Sequence, residues 1–189
     1  PWADHPARSI LWPRLSRGFF LANALESRAV IQLAATPLSS EAFAPFGQVI
    51  WPEPDALDWQ LGDAELDLNQ GLPRLYLMRL AAKPLRVQEL AAHRQVTQCL
   101  GVMEPYPWQI AVAPASHSAE QPIDASTEVR AFTVPPRCIL KLHRGTWHAG
   151  PLFESPAELV FCNLELRNTN STDRFTLPLL PGQEAEISP

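Results

Sequence analysis

The sequence lacks the features that mark several large classes of protein. No uncharged apolar run approaches the roughly 18 residues that a membrane-spanning helix needs. The 15 basic residues, set against 20 acidic ones for a formal net charge of -5, form no cluster that could neutralise a row of phosphates. We therefore expect neither a membrane nor a nucleic acid as a partner, and a small molecule fits better.

Cysteine is scarce as well. The three cysteines, Cys99, Cys138 and Cys162, are odd in number and far apart, and each lies in an apolar run. This pattern is typical of buried, reduced thiols in a cytosolic protein rather than of a disulfide framework. Residues 11–21 are interrupted by a proline and two arginines, so they lack the continuous apolar region of a signal peptide. We predict a cytoplasmic protein.

Proline, in contrast, is abundant. Twenty prolines, about twice the usual share, exclude long helices almost everywhere. Short alternating runs with turn signals at intervals of about 8–12 residues then indicate an all-β sandwich or closed barrel. A length of 189 residues favours one domain. We place it at residues 31–180, after an N-terminal arm at 1–30 and before a C-terminal tail at 181–189.

Local patterns predict individual elements. Alternating stretches predict strands at residues 74–80, 108–113 and 159–167. Residues 39–43 are typical of a short helix with Ser39 or Ser40 as its N-cap. The acidic, leucine-spaced segment 56–71 has no clear period, which predicts a long loop with one helical turn.

The chemically densest stretch is residues 140–151. Apolar and polar residues alternate through its first half, which puts Lys141 and His143 on one face of a strand and the intervening leucines toward the core. A glycine then permits a turn, after which Trp147 and His148 follow. We predict a polar cluster held at the turn of a sheet.

Two segments resemble the motifs of cupins, which are small double-stranded β-barrels. The second cupin motif includes Pro-x-Gly-x-x-His, and this chain has a matching run from His143 to His148 with histidine in place of the proline. The first motif places a histidine five residues before a glutamate, and here His93 stands five before Gln98. The order and separation of the two segments also agree with cupins.

More specifically, the chain resembles the ureidoglycolate lyase family. The matching segments are 37–50, 89–93, 97–98, 130–132, His143, 147–148 and 152–153. The resemblance implies an all-β, cupin-type double-stranded β-helix (a jelly-roll barrel) with few short helices. It also implies cleavage of ureidoglycolate to glyoxylate and urea in purine and allantoin nitrogen catabolism, and a homodimer.

The chain departs from the family pattern at several polar positions, which marks a diverged member. The family segment reads Asn-x-Gly, then an arginine, an aromatic, a histidine and an aspartate. Here 69–71 and Tyr76 remain, Arg74 is a displaced arginine, and 77–78 are Leu-Met in place of the histidine and aspartate. The family's late Asp-Arg pair corresponds to Asn163 and the leucine after it.

The family reaction breaks a C–N bond beside a hydroxyl group. It needs a base for the hydroxyl proton, an acid for the departing urea nitrogen and cations for the carboxylate. The imidazoles of His93, His148 and His143 can move protons near neutral pH. Lys141 inside a barrel would need an anionic partner, which a substrate carboxylate supplies. We predict these four residues as the catalytic set.

Other polar and aromatic residues are candidates for substrate binding. Side-chain amides can orient a ureido group, guanidinium groups can bind a carboxylate, and aromatic rings can stack. The predicted substrate-binding residues are Gln98, Arg74, Arg130, Asn163, Trp147 and Tyr76.

Two other functions remain open. A cupin that has lost catalysis can bind a small carboxylate as a sensor or accessory protein, which the lost polar positions favour. A metal-dependent cupin isomerase or oxygenase would use His93, Gln98 and His148 as ligands, although first-row metals usually want another histidine or carboxylate. The lyase reaction requires no cofactor, so a divalent metal is the alternative hypothesis.

Overall fold

A computed structural model describes residues 29–56 and 58–189. The predicted N-terminal arm, residues 1–30, therefore lies outside the described residues except for Ala29 and Val30. These two residues do not belong to an arm, because they begin the first strand of a sheet.

Strands dominate the described part of the chain. They are β1 (Ala29–Ala34), β2 (Thr36–Pro37), β3 (Gly47–Ile50), β4 (Pro73–Ala81), β5 (Arg86–Val87), β6 (Glu89–Ala92), β7 (Cys99–Val102), β8 (Trp108–Ala113), β9 (Arg130–Val134), β10 (Ile139–Leu142), β11 (Trp147–Leu152), β12 (Glu158–Leu166), β13 (Phe175–Pro178) and β14 (Gln183–Ser188). The helices here are the single turns α1 (Ser40–Phe43) and α2 (Thr169–Thr172). Among these residues, no helix has the length and apolar character needed to cross a membrane.

The strands form three sheets. A six-stranded sheet has the order β13-β6-β11-β8-β9-β2, a five-stranded sheet β3-β10-β7-β12-β4, and a three-stranded sheet β1-β14-β5. From β9 to β13 the chain passes back and forth between the six-stranded and five-stranded sheets. This alternation is typical of a jelly-roll barrel, so the predicted all-β, cupin-type fold with few short helices is confirmed.

The six-stranded sheet is buried on both faces. One face packs against the five-stranded sheet in a core that includes Trp108 and Phe161, whose rings meet edge to face at 5.4 Å. The other face packs against the three-stranded sheet in a core that includes Trp147 and Ile187. Every residue of β8, at the centre of this sheet, is consequently buried.

Most of the predicted elements are confirmed. The strands at 74–80, 108–113 and 159–167 are β4, β8 and β12. The short helix is α1, and the hydroxyl of Ser39 accepts a hydrogen bond from the N–H of Ala42 at 3.1 Å, as expected of an N-cap. The described residues of segment 56–71 form a loop with a turn but no helix, because no apolar stripe is present to bury a helical face.

The predicted C-terminal tail, 181–189, is corrected to a part of the domain. Strand β14 pairs in parallel with β1 from Gln183, opposite Ala29, to Ser188, opposite Ala34. Ala185 and the alternating Ile187 are buried in the core beneath the sheet. The period of two in this short segment places its apolar residues on one face, which is sufficient for a strand once a partner is present.

Candidate active site

A cleft of about 720 Å³ opens between the five-stranded and six-stranded sheets, a size that suits a small ligand. Its floor comes from the inner face of the five-stranded sheet, where β4 and β12 contribute Tyr76, Asn163 and Glu165. Its opposite wall comes from the six-stranded sheet, where β11 contributes His148 and the end of β6 leads to His93. The cleft therefore joins residues from distant parts of the chain.

Two buried histidines lie side by side in the cleft. The ring centroids of His93 and His148 are 5.4 Å apart. Nδ1 of His93 is 2.8 Å from the carbonyl oxygen of Asp173, and Nδ1 of His148 is 3.1 Å from that of Thr146. Because a carbonyl oxygen can only accept, each Nδ1 carries the donated proton, and Nε2 is the unprotonated nitrogen of the neutral ring. In its neutral form, each ring therefore presents Nε2 as a proton acceptor.

The environment keeps His148 uncharged. Burial, together with the nearby His93 and Arg174, lowers the pKa of His148 to about 4. At neutral pH the ring of His148 is therefore a hydrogen-bond acceptor at Nε2, and its protonated form is more acidic than an ordinary imidazolium.

The position of His93 is fixed by Asp173, a buried residue between α2 and β13. The carboxylate of Asp173 accepts hydrogen bonds from the N–H groups of Arg94 at 2.9 Å and Gln95 at 2.8 Å. From the other side, Gly145 in the turn between β10 and β11 donates its N–H to the carbonyl of His93 at 2.6 Å. Gly145 has φ +84°, in the left-handed region that favours glycine, so the turn predicted there is confirmed.

Glu165 is a buried carboxylate at the floor of the cleft, with its side chain 1% exposed. Oε1 accepts hydrogen bonds from Tyr76 Oη at 3.2 Å and Asn170 Nδ2 at 3.1 Å, and Oε2 accepts from Gln98 Nε2 at 3.2 Å and Asn163 Nδ2 at 3.1 Å. The guanidinium of Arg74 lies 3.5 Å from Oε1. These partners satisfy the charge of a carboxylate that burial alone would destabilise.

Cations line the mouth of the cleft. Arg174, Lys83 and Arg86 are exposed residues of its lining. Arg86 lies 3.9 Å from the carboxylate of Glu184, whereas Arg174 and Lys83 form no ion pair with any described residue. These two cations are accordingly available to the carboxylate of a ligand.

Known proteins are similar to this chain in sequence. The family model for ureidoglycolate lyase matches residues 30–175. A ureidoglycolate lyase of Pseudomonas syringae pv. tomato is 32% identical over 130 residues, which cover 61% of this chain and 72% of that protein. A ureidoglycolate lyase of Pseudomonas savastanoi pv. phaseolicola is 29% identical over 132 residues, which cover 62% of this chain and 73% of that protein. The chain belongs to the ureidoglycolate lyase family.

In this member of the ureidoglycolate lyase family, the structure brings several predicted site residues into one cleft. Those that line it are His93, His148, Gln98, Asn163 and Tyr76. Arg74 lies at its edge, where the guanidinium carbon is 3.6 Å from the centre of the ring of Tyr76. The histidine pair and the amides are thus the part of the predicted site that the fold assembles.

Lys141 lies outside the cleft, which corrects its assignment as a catalytic residue. Leu140 pairs with Leu100 and faces the barrel interior, so Lys141, the next residue of β10, points to the outer face of the five-stranded sheet. There its Nζ donates a hydrogen bond to the carbonyl of Glu65 at 3.1 Å. The alternation that places the leucines inside necessarily places the lysine outside.

His143, Trp147 and Arg130 also lie away from the cleft, which corrects their predicted roles. His143 is exposed beyond the end of β10. Trp147 is buried in the core beneath the three-stranded sheet, because successive residues of a strand point to opposite faces and His148 occupies the face toward the cleft. Arg130 is exposed on β9, and its Nη1 is 3.5 Å from the neighbouring carbonyl of Val129.

The sequence prediction omits Glu165, Asn170 and Arg174, all of which line the cleft. Glu165 stands two residues after Asn163 on β12, so strand alternation could have placed it on the same face. Arg174 follows Asp173, and this Asp-Arg pair late in the chain is the kind that the resemblance calls for; the prediction matched it to Asn163 instead. Asn170 lies in the single-turn helix α2, and no sequence signal distinguishes it.

The three predicted metal ligands, His93, Gln98 and His148, share the cleft. Nε2 of Gln98 donates a hydrogen bond to Glu165. Only the amide oxygen of Gln98 is then left to ligate a metal. Over residues 29–56 and 58–189, no group of three or more His, Cys, Asp or Glu residues is arranged to hold a metal ion. Two imidazoles and an amide oxygen are a weak ligand set for a first-row divalent metal.

Proposed function

We propose that the protein cleaves ureidoglycolate into glyoxylate and urea, in the nitrogen salvage from purines and allantoin. The observation that supports this best is the pair of buried imidazoles, His93 and His148, 5.4 Å apart in a cleft that also holds amides and cations. In the reaction the hydroxyl loses its proton and becomes a carbonyl, the C–N bond breaks, and the departing nitrogen takes the electron pair and a proton. One proton therefore moves from oxygen to nitrogen, with no net redox change.

We assign the transfer of this proton to His148. Its Nε2 is unprotonated at neutral pH and can receive the hydroxyl proton. Because burial holds the pKa of His148 at about 4, the neutral ring is a weak base, and once protonated it gives the proton up readily. The proton reaches the departing nitrogen directly or by way of His93, which lies beside it.

The rest of the cleft accommodates the two ends of the substrate. Arg174 and Lys83 bind the carboxylate at the mouth, since neither is engaged by an acidic side chain within the described residues. Gln98 and Asn163 on the floor hydrogen-bond the ureido group. This arrangement holds the C–N bond beside the histidine pair.

A product assay tests the proposal. Purified protein incubated with ureidoglycolate should release glyoxylate and urea in equal amounts, without ammonia. Ammonia in place of urea would indicate hydrolysis of the ureido group, and glyoxylate at the background rate would contradict the proposal. Thermal stabilisation by small carboxylates without turnover would instead support the sensor hypothesis. Activity lost on chelation and restored by a metal would support the metal-dependent alternative.

We propose further that the protein is a homodimer. The outer face of the five-stranded sheet exposes Leu75, Leu77, Met103 and Ile139. Apolar patches of this kind on a soluble protein mark interaction surfaces. A second copy related by a two-fold axis would cover the patch with the same patch of its own.

A cytoplasmic location is proposed as well. The three cysteines are free. Burial raises the pKa of Cys99 and of Cys138 to about 11, so both remain protonated, unreactive thiols. Free buried thiols are usual in a reducing compartment.

A further inference from the structure

One carboxylate orients both amide side chains on the floor of the cleft. Oε2 of Glu165 accepts a hydrogen bond from Gln98 Nε2 at 3.2 Å and from Asn163 Nδ2 at 3.1 Å. Because a carboxylate only accepts, both amides turn their NH₂ groups toward Glu165 and their carbonyl oxygens away from it.

Tyr76 reinforces this orientation at Asn163. Its hydroxyl accepts a second hydrogen bond from Asn163 Nδ2 at 2.9 Å and donates its own proton to Glu165 Oε1 at 3.2 Å. The Nδ2 group therefore has two acceptors, and turning the amide over would place the amide oxygen against a carboxylate. The orientation of Asn163 is fixed by its surroundings.

Both amide oxygens are left without a hydrogen-bond donor. Gln98 Oε1 and Asn163 Oδ1 are buried and accept no hydrogen bond from any described residue, and the two residues are 7% and 1% exposed. Unpaired polar atoms in buried positions are rare in native proteins. Since both residues line the cleft, a ligand is the natural source of the missing donors.

We infer that Glu165 is a positioning residue that makes the floor of the cleft an acceptor of N–H groups, and that the floor thereby selects ligands with a terminal carbamoyl group, –NH–CO–NH₂. The inference rests on the proposed function for the identity of the substrate and adds how its urea half is recognised.

A matched pair of unreactive ligands tests the inference. N-carbamoylglycine and N-acetylglycine differ only in a terminal NH₂ or CH₃ group, and isothermal titration calorimetry measures both dissociation constants. Wild type should bind the carbamoyl ligand about 10- to 100-fold more tightly, because the methyl group leaves buried acceptors unpaired. In Glu165→Gln the ratio should fall below about threefold, because a neutral amide at 165 lets the floor amides turn over.

Glu184→Gln is the matched control. Glu184 lines the same cleft, but it accepts from Gln88 Nε2 and lies near Arg86 rather than the floor amides. This variant loses the same charge and should keep the wild-type ratio of dissociation constants. An equal fall of the ratio in both variants would show that the loss of a negative charge is sufficient to cause it, and would overturn the inference. Where Glu165→Gln does not fold, Gln98→Met removes one acceptor at similar volume and must lower the ratio.

Two further outcomes separate this inference from the proposed function. Equal affinity of wild type for the two ligands, or no binding of either, overturns the inference. Clear discrimination by a protein that does not release glyoxylate from ureidoglycolate supports the inference and contradicts the proposed lyase activity.

Discussion

At the scale of single residues, the site depends on two buried imidazoles. His93 and His148 each donate Nδ1–H to a backbone carbonyl, so the tautomer of both rings is set by the fold. Their partners lie on different elements, since Asp173 follows α2 and Thr146 precedes β11. A change in either connection would alter the orientation of one ring relative to the other.

The pH dependence of stability should report on His148. Its pKa is about 4 in the folded protein against the ordinary histidine value of 6.5, so as the pH falls the unfolded chain takes up this proton first. The contribution of His148 to the stability of the folded protein is therefore fully present above the pKa of the unfolded chain. It is lost as the pH falls from 6.5 toward 4. At about 1.4 kcal/mol per pKa unit, the loss is about 3 kcal/mol.

Urea unfolding between pH 7 and pH 4 measures this loss. Wild type should lose about 3 kcal/mol more than His148→Asn across the range. His143→Asn, which alters an exposed imidazole, should retain the wild-type pH dependence. The same pH dependence in His148→Asn and wild type would show that the His148 ring is not desolvated.

At the scale of elements, local alternation predicts strands well and their partners poorly. The pattern located β4, β8 and β12 because a period of two is visible within each segment. Strand β14 was not predicted, because its short segment contains charged residues and its partner β1 is distant in sequence. Their side chains Gln32 and Glu186, hydrogen-bonded at 3.2 Å, lie 154 residues apart.

Strand β14 should be essential to the stability of the domain. Ile187 is 3% exposed beneath the three-stranded sheet, so Ile187→Ala should lower the free energy of unfolding by about 2–5 kcal/mol through lost contacts and a cavity. Val30 on the partner strand is 48% exposed. Val30→Ala should therefore change the free energy of unfolding by less than about 0.5 kcal/mol. Denaturant unfolding measures both, and an equally small effect of the two substitutions would mean that β14 does not belong to the core.

At the scale of the whole molecule, the sequence predicted which histidines meet but not everything around them. His93 and His148 share a cleft as the resemblance implies, because the jelly-roll topology brings the end of β6 beside β11. Lys141 was misplaced because alternation correctly set it opposite the leucines of β10 but did not show that the cleft lies on the leucine side, where Leu140 pairs with Leu100. Glu165 and Arg174 were missed although each had a signal in the sequence, because Glu165 shares one face of β12 with Asn163 and Arg174 belongs to a late Asp-Arg pair.

The apolar outer face of the five-stranded sheet should control the oligomeric state. Leu77 is 62% exposed on this face. Wild type should sediment as a dimer at micromolar concentration, and Leu77→Lys should shift it to monomer by placing a charge in the proposed interface. Leu61 is 88% exposed in the loop before β4, so Leu61→Lys should remain dimeric. A monomeric wild type, or an unchanged Leu77→Lys, would contradict the proposed dimer.

The most direct test of the whole account is the rate of glyoxylate release from ureidoglycolate at neutral pH. The measurement compares wild type with His148→Ala and, as a matched control, with His143→Ala. We predict that kcat falls by about 100-fold or more in His148→Ala, the usual contribution of a positioned acid–base group, and is unchanged in His143→Ala. Equal rates for wild type and His148→Ala would contradict the assignment of the cleft as the active site.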